Sequence, residues 1–167
     1  APGTEILGQP TCACEYLSWG FWSAEYRNAD DTRREHMHLG SWVAGKLPEP
    51  GDLPSSGVAE YTGHAIGEVV NGSRQYIATG TFSNTWDFGS KEGQVRIDSF
   101  DGRDFAGTAT SEGGRDYRGP MSGPDGISGR IEGSFFEGGG DPAAETGGQF
   151  RLEGPAYRAS GTFAGRK

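Results

Sequence analysis

Hydrophobic and polar positions alternate with a period of two along most of the chain, most regularly between Gly57 and Gly89. In the second half of that stretch Tyr76, Ala78, Gly80, Phe82, Trp86 and Phe88 share one parity, and Ser73, Gln75, Thr79, Thr81, Ser83, Thr85 and Asp87 share the other. Successive side chains of an extended strand point to opposite faces, so this is the signature of a strand with one dry side. In the first half Ala59, Tyr61, Gly63, Ala65, Gly67 and Val69 supply a matching inner face of mostly small residues, as expected where a strand bends sharply or lies under a neighbour's ring. Asn71-Gly72 lies between the two halves and predicts a two-residue type I′ hairpin turn.

The same alternation continues to the end of the chain. Val95 and Ile97 face inward on a strand over 94–100, Asp101-Gly102 makes a second tight turn, and 104–110 returns. Pro120 removes a ladder donor from 117–123 and predicts an edge, a bulge or a poorly paired strand. Ile127, Gly129, Ile131, Gly133 and Phe135 alternate with Ser128, Arg130, Glu132 and Ser134; 137–145 reads as a glycine-rich loop; Phe150, Leu152, Tyr157, Ala159 and Phe163 fill the inner faces of the last two strands. The predicted fold is all-β: roughly eight antiparallel strands in up-and-down order, closed into a barrel over 57–167. Closure at eight strands leaves an interior that side chains can just fill. The aromatics Tyr61, Tyr76, Phe82, Trp86, Phe88, Phe150 and Phe163 suffice to fill it, which argues against a hollow, lipocalin-like carrier.

Residues 1–50 read as a small aromatic β extension: an extended lead-in to Thr11, an aromatic strand over 13–22, a polar link over 28–35 and a second strand over 36–44. The first strand is apolar on both parities (Tyr16, Trp19, Phe21, Trp22), which predicts cover on two sides. Pro48, Pro50 and Pro54 make 45–57 a linker that cannot hold a ladder.

Composition narrows the function. The 167 residues include 30 glycines and 11% aromatics, and the net charge of −8 repels phosphate backbones, so nucleic acid is not expected as a partner. No apolar run reaches the roughly 18 residues of a membrane helix. Outward charges such as Glu60, Glu68, Arg74, Arg130, Glu132, Arg151 and Arg158 speak against a lipid-facing barrel. The chain begins at Ala1 without a methionine and reads as a processed product or an excised piece.

Candidate chemistry is sparse. Cys12 and Cys14 would sit roughly 7 Å apart in an extended strand, so a disulfide between them needs a local turn. Three readings stay open: a Cys-x-Cys disulfide in an oxidising compartment, a soft-metal site, or a link to a partner chain. His36 and His38 share one strand face, and with His64 they could hold a metal ion or a haem iron; the bland alternative is that His64, on the outward parity with Glu60 and Thr62, is simply solvated. Asp98, Asp101 and Asp104 lack calcium-loop spacing, and the glycine runs lack the Lys-Ser/Thr of a phosphate loop. No Gly-x-Ser-x-Gly elbow and no inward carboxylate pair is present. The expectation is a non-enzymatic chain with no resident cofactor, haem or metal being the alternative.

Several of these residues carry a resemblance. Ala144-Glu-Thr-Gly-Gly-Gln-Phe150 and Ala159-Ser-Gly-Thr-Phe-Ala-Gly-Arg-Lys167, with Tyr61-Thr-Gly-His-Ala-Ile-Gly67, Thr85-Trp-Asp-Phe88 and Gly129-Arg-Ile-Glu-Gly-Ser-Phe-Phe136, resemble the transferrin-binding protein B type of β-barrel domain over most of 57–167. Cys12-Ala-Cys-Glu-Tyr-Leu-Ser-Trp-Gly20 and His38-Leu-Gly-Ser-Trp-Val-Ala-Gly45 are similar to what precedes this barrel in C-terminal modules of large FecR-like bacterial envelope proteins. The resemblance implies a barrel with a handle-like sheet, displayed outside the cytoplasm: in the periplasm, at the outer-membrane surface or secreted. Its members bind iron-carrying host proteins, haem or other surface partners. The sequence departs in lacking a lipid-attachment cysteine at its start and in having one barrel and a short handle, and no contact residue carries over. The expectation is a binding or display module meeting a protein or small ligand through the 111–116 and 137–145 loops. A structural terminal module of a larger envelope protein and a small-ligand carrier are the alternatives.

Overall fold

The computed structural model describes residues 5–30, 32–49 and 51–167, and the side chains of 23–26 and 34–39 lie outside that description. Its twelve strands are β1 (Glu5–Ile6), β2 (Gln9–Pro10), β3 (Leu17–Arg27), β4 (Arg34–Gly45), β5 (Val58–Asn71), β6 (Arg74–Asp87), β7 (Glu92–Phe100), β8 (Arg103–Thr110), β9 (Asp116–Ser122), β10 (Ser128–Gly138), β11 (Asp141–Gly154) and β12 (Tyr157–Arg166). Strands β5 to β12 form a closed barrel, each pairing antiparallel with the next and β12 returning to β5. Two small sheets, β1–β2 and the longer ribbon β3–β4, precede it.

The predicted inner parity is the barrel's core. Trp86 lies 5.1 Å from Tyr117 and 5.2 Å from Phe135 between ring centroids, Phe82 stacks on Phe163 at 4.4 Å, and Phe100 meets Phe150 edge-on at 5.1 Å. Tyr61 donates to the Ala143 carbonyl at 2.8 Å, and the Tyr117 and Thr146 hydroxyls bond to each other at 2.7 Å. Burial pushes both phenols well above the usual tyrosine range. Rings therefore occupy the space a carried ligand would need. Asn84 shares the inward parity and is buried near the Tyr117 hydroxyl, with no hydrogen bond of good geometry for its amide among the described residues.

Two local expectations, the first turn and the 137–145 loop, are corrected, and two, at Asp101-Gly102 and Pro120, hold. Asn71 pairs directly with Arg74, so the first hairpin turn is Gly72-Ser73; Gly72 alone takes positive φ there (+61°), as a type II′ turn requires. Asp101-Gly102, with φ of +53° and +70°, is the type I′ turn. The segment 137–145 is mostly ladder: β10 and β11 extend into it, and the bend is confined to Gly139-Gly140, both in left-handed backbone. Pro120 lies on the sparsest seam, where the β8–β9 register is fixed only by Ala106 opposite Ser122 and Thr110 opposite Arg118.

Candidate functional site

The barrel's outer wall is not uniformly wet. On β5, β10, β11 and β12 the outward positions His64, Ile66, Phe136, Glu145, Thr162 and Ala164 are buried. Their cover is the N-terminal segment, which forms a second, smaller apolar cluster of Leu17, Phe136 and Ala164 with Cys12, Cys14, Trp19 and Val43 packed against it. Outward parity thus predicts solvent only where nothing docks.

Two polar anchors hold that cover. The Glu145 carboxylate accepts the backbone N–H groups of Glu15 at 2.6 Å, Tyr16 at 3.0 Å and Leu17 at 2.7 Å, so one buried charge terminates three donors that start β3. Hydrogen bonds to a charged acceptor are the stronger kind, which suits a carboxylate stranded under a sheet. His64 accepts the Cys12 N–H on Nδ1 at 2.6 Å, while its ring lies 4.2 Å from that of Trp19. Burial lowers its pKa to about 4, so the imidazole is neutral with its proton on Nε2. Further along, Tyr16 lies over Gly138 and Gly139, Lys46 pairs with Glu137, and the Arg115 guanidinium donates to the Pro48 carbonyl at 3.1 Å. The 137–145 segment, expected to meet a partner, is instead largely taken up by the chain's own N-terminal region.

The solvated reading of His64 is overturned: it points outward but is 2% exposed. The side chains of His36 and His38 lie outside the described residues. By register His36 sits opposite Glu25, while Val43 opposite Trp19 marks the rung that touches His64, five to seven residues away along β4. At about 3.3 Å per residue that separates the backbones by roughly 16–23 Å. Among the described residues no group of three His, Cys, Asp or Glu side chains is arranged to hold a metal ion. Cys12 and Cys14 are joined in a disulfide, with Cα atoms 5.2 Å apart in the non-strand segment before β3. The acidic trio is used structurally: Asp98 pairs with Arg96, Asp101 with Arg103, and Asp104 accepts the Ser99 N–H.

The ribbon beyond its anchored base differs from what its aromatics predict. Leu17, Trp19 and Val43 face the barrel, but Trp22 and Trp42 face away from it and are 52% and 43% exposed, with Phe21 at 42%. The strand is open on one face, and covered on the other only at its base, since Phe21, on the same face as Leu17 and Trp19, is itself largely exposed. Each outward tryptophan lies flat across the glycine paired with it: a Cβ on Gly40 would come within 2.4 Å of the Trp22 ring, and one on Gly20 within 2.8 Å of the Trp42 ring. Beside the ribbon base, an open groove of about 690 Å³ on the outer wall runs between Val43 and the 111–116 loop. Its rim charges are spoken for, Glu112 by Arg118 at 3.1 Å and Asp116 by the Ser134 hydroxyl at 2.5 Å. The sequence names Trp22, and the alternation of Gly20 with Trp22 and of Gly40 with Trp42 is the signal in it that could have shown which face they share.

These features define a class: a closed, aromatic-filled eight-stranded barrel with a two-stranded ribbon docked on its outer wall. No family model matches the chain, and no curated protein does. Among solved structures, the chain is similar to intact Ap-TbpB with its N and C lobes (TM-score 0.69, 17% identity, 98% of this chain and 37% of that one). It is also similar to a Trp-176-Ala mutant of the vaccine antigen transferrin binding protein B from Haemophilus parasuis Hp5 (TM-score 0.67, 19% identity, 94% of this chain and 34% of that one). A surface lipoprotein matches at TM-score 0.63 and 12% identity, over 92% of this chain and 77% of its own. The chain spans about a third of the length of the two transferrin-binding proteins. At these identities the likeness is one of fold.

Proposed function

We propose that this chain is a non-catalytic binding or display module that works outside the cytoplasm, meeting a partner at the cell surface through the uncovered aromatic ribbon and the neighbouring 111–116 loop. The observation that carries the reading is the contrast between a barrel filled with rings and a ribbon that holds Trp22 and Trp42 in solvent on one face. Exposed clusters of large aromatics mark interaction sites more often than idle surface. The Cys12–Cys14 disulfide supports an oxidising compartment. The outward charges of Glu60, Arg130, Glu132, Arg151 and Arg158 are exposed and leave no apolar band for lipid. The likeness to transferrin-binding protein B structures and to a surface lipoprotein supports a surface setting. Haem or metal capture by His36, His38 and His64 jointly draws no support from the strand register.

The test is binding of the purified chain to immobilised host serum and surface proteins, transferrin and haem-carrying proteins included, beside a W22S/W42S variant. Saturable binding that weakens at least tenfold in the variant is the expected result. Binding to no member, or binding indifferent to both tryptophans and to the 111–116 loop, contradicts the reading.

A further inference from the structure

Resting on that binding-module reading, we infer that the outward face of the β3–β4 ribbon is a platform for a short, uncharged polyproline II segment of a partner protein. The face consists of three cross-strand rungs, Ser18 with Ala44, Gly20 with Trp42, and Trp22 with Gly40. The two indoles stand diagonally, each resting on a glycine, with Ser18 and Ala44 on the third rung.

The occupant follows from area, charge and donor chemistry. Three rungs span about 13 Å, and a two-stranded ribbon is about 10 Å wide, so the face offers on the order of 150 Å². Two copies pressed face to face would bury a few hundred Å², against the roughly 1,200–2,000 Å² of a stable dimer, so a second copy of this chain is a poor occupant. None of the six residues is charged, which leaves a phosphate, carboxylate or ammonium group without a counterion. The chain's net charge of −8 also repels nucleic acid, whose bases would otherwise stack on indoles. The donors the face offers are two indole N–H groups and the Ser18 hydroxyl, a set suited to bare backbone carbonyls.

A contact this small cannot offset the ordering of a flexible chain, so the ligand must arrive already shaped. Polyproline II meets each requirement. Its backbone carbonyls are unpaired and solvated, proline carries no N–H to strand against the indoles, and its three-residue turn presents flat pyrrolidine rings that can stack on the two exposed indoles. At about 3.1 Å per residue, the 13 Å of platform accommodates roughly four residues.

The experiment titrates the intact chain with capped decaproline amide, following tryptophan fluorescence and calorimetry. A capped decapeptide of alternating glycine and serine is the flexible control, and a hexasaccharide of N-acetylglucosamine the flat, uncharged non-peptide. Decaproline is expected to saturate, with an affinity unchanged between 50 and 500 mM salt, at least tenfold weaker in W22S and in W42S, while the flexible peptide gives no saturation. The G40A variant keeps both tryptophans but puts a methyl group where the Trp22 ring rests, and is expected to weaken binding at least threefold; circular dichroism checks that each variant keeps its fold. Failure of decaproline to saturate up to millimolar concentrations, or saturation indifferent to Trp22 and Trp42, overturns the inference. Tryptophan-dependent binding of the hexasaccharide without decaproline binding overturns the polyproline assignment and leaves the ribbon as a binding surface.

Discussion

The barrel and the ribbon are built from the same residue types and use them in opposite ways. In the barrel, glycines such as Gly133 and Gly161 let strands coil so that rings close over one another inside; Gly133 lies within a carbon's reach of Tyr117 and Phe163. In the ribbon, Gly20 and Gly40 let rings lie on the sheet facing water. The barrel has no free edge, whereas the ribbon is a two-stranded sheet supported on one face by Leu17, Trp19 and Val43. Isolated two-stranded ribbons are marginal in water, so this one depends on its anchors. One region spends its aromatics on stability and the other keeps them available for contact.

The largest effect that would break this comparison is in the core. Phe135 and Trp86 are buried amid other rings, and Phe135→Ala or Trp86→Ala should cost about 3–5 kcal/mol in denaturant unfolding. Next comes the anchor. Glu145→Ala leaves three N–H groups without their charged acceptor, and a loss of about 3 kcal/mol should fall on the docked segment rather than on the barrel. Limited proteolysis should then cut within residues 5–45 while 57–167 stays intact; cuts spread over the barrel would contradict the division.

The histidine anchor gives a pH signature. The folded-state pKa of His64, about 4, lies below its ordinary 6.5, so the folded chain binds fewer protons than the unfolded one between those values. Its contribution is fully present above pH 6.5 and is lost as pH falls toward 4, by up to about 3 kcal/mol. His64→Asn keeps an acceptor near the Cys12 N–H and should flatten this part of the stability profile measured by thermal melts. Smaller still, Asn84→Leu should change stability by no more than about 1 kcal/mol, because the buried amide has no hydrogen bond of good geometry and only the nearby Tyr117 hydroxyl to interact with. Trp22→Ser should change stability by less than about 1 kcal/mol, which sharpens the contrast with Trp86.

Much of the barrel was legible because a closed sheet has a single dry side, and a period of two reports it directly: Phe82, Trp86, Ile131 and Phe163 are all buried where parity puts them. What parity cannot report is a second layer on the outside. His64 read as wet by parity and Glu145 as part of a loop, although apolar Ile66 on β5, Phe136 on β10 and Ala164 on β12 at outward positions were a usable sign that something lies over them. The 137–145 segment read as a loop because glycine runs look alike whether they bend or extend; only Gly139 and Gly140 bend. Asn71-Gly72 suits a type I′ turn, but the register opposing Asn71 to Arg74 moves the turn on by one residue. Trp22 and Trp42 were visible as aromatics, yet which way they face depends on the docked base, which lies in tertiary structure.

The most direct test of the division between filled barrel and open ribbon is oxidative footprinting of the intact chain, read tryptophan by tryptophan by peptide mass spectrometry. Heavy labelling of Trp22 and Trp42, weaker labelling of Trp19 and none of Trp86 is the predicted result. Protection of Trp22 and Trp42 equal to that of Trp86 would contradict it, since the face assigned to a partner would then be covered by the chain itself.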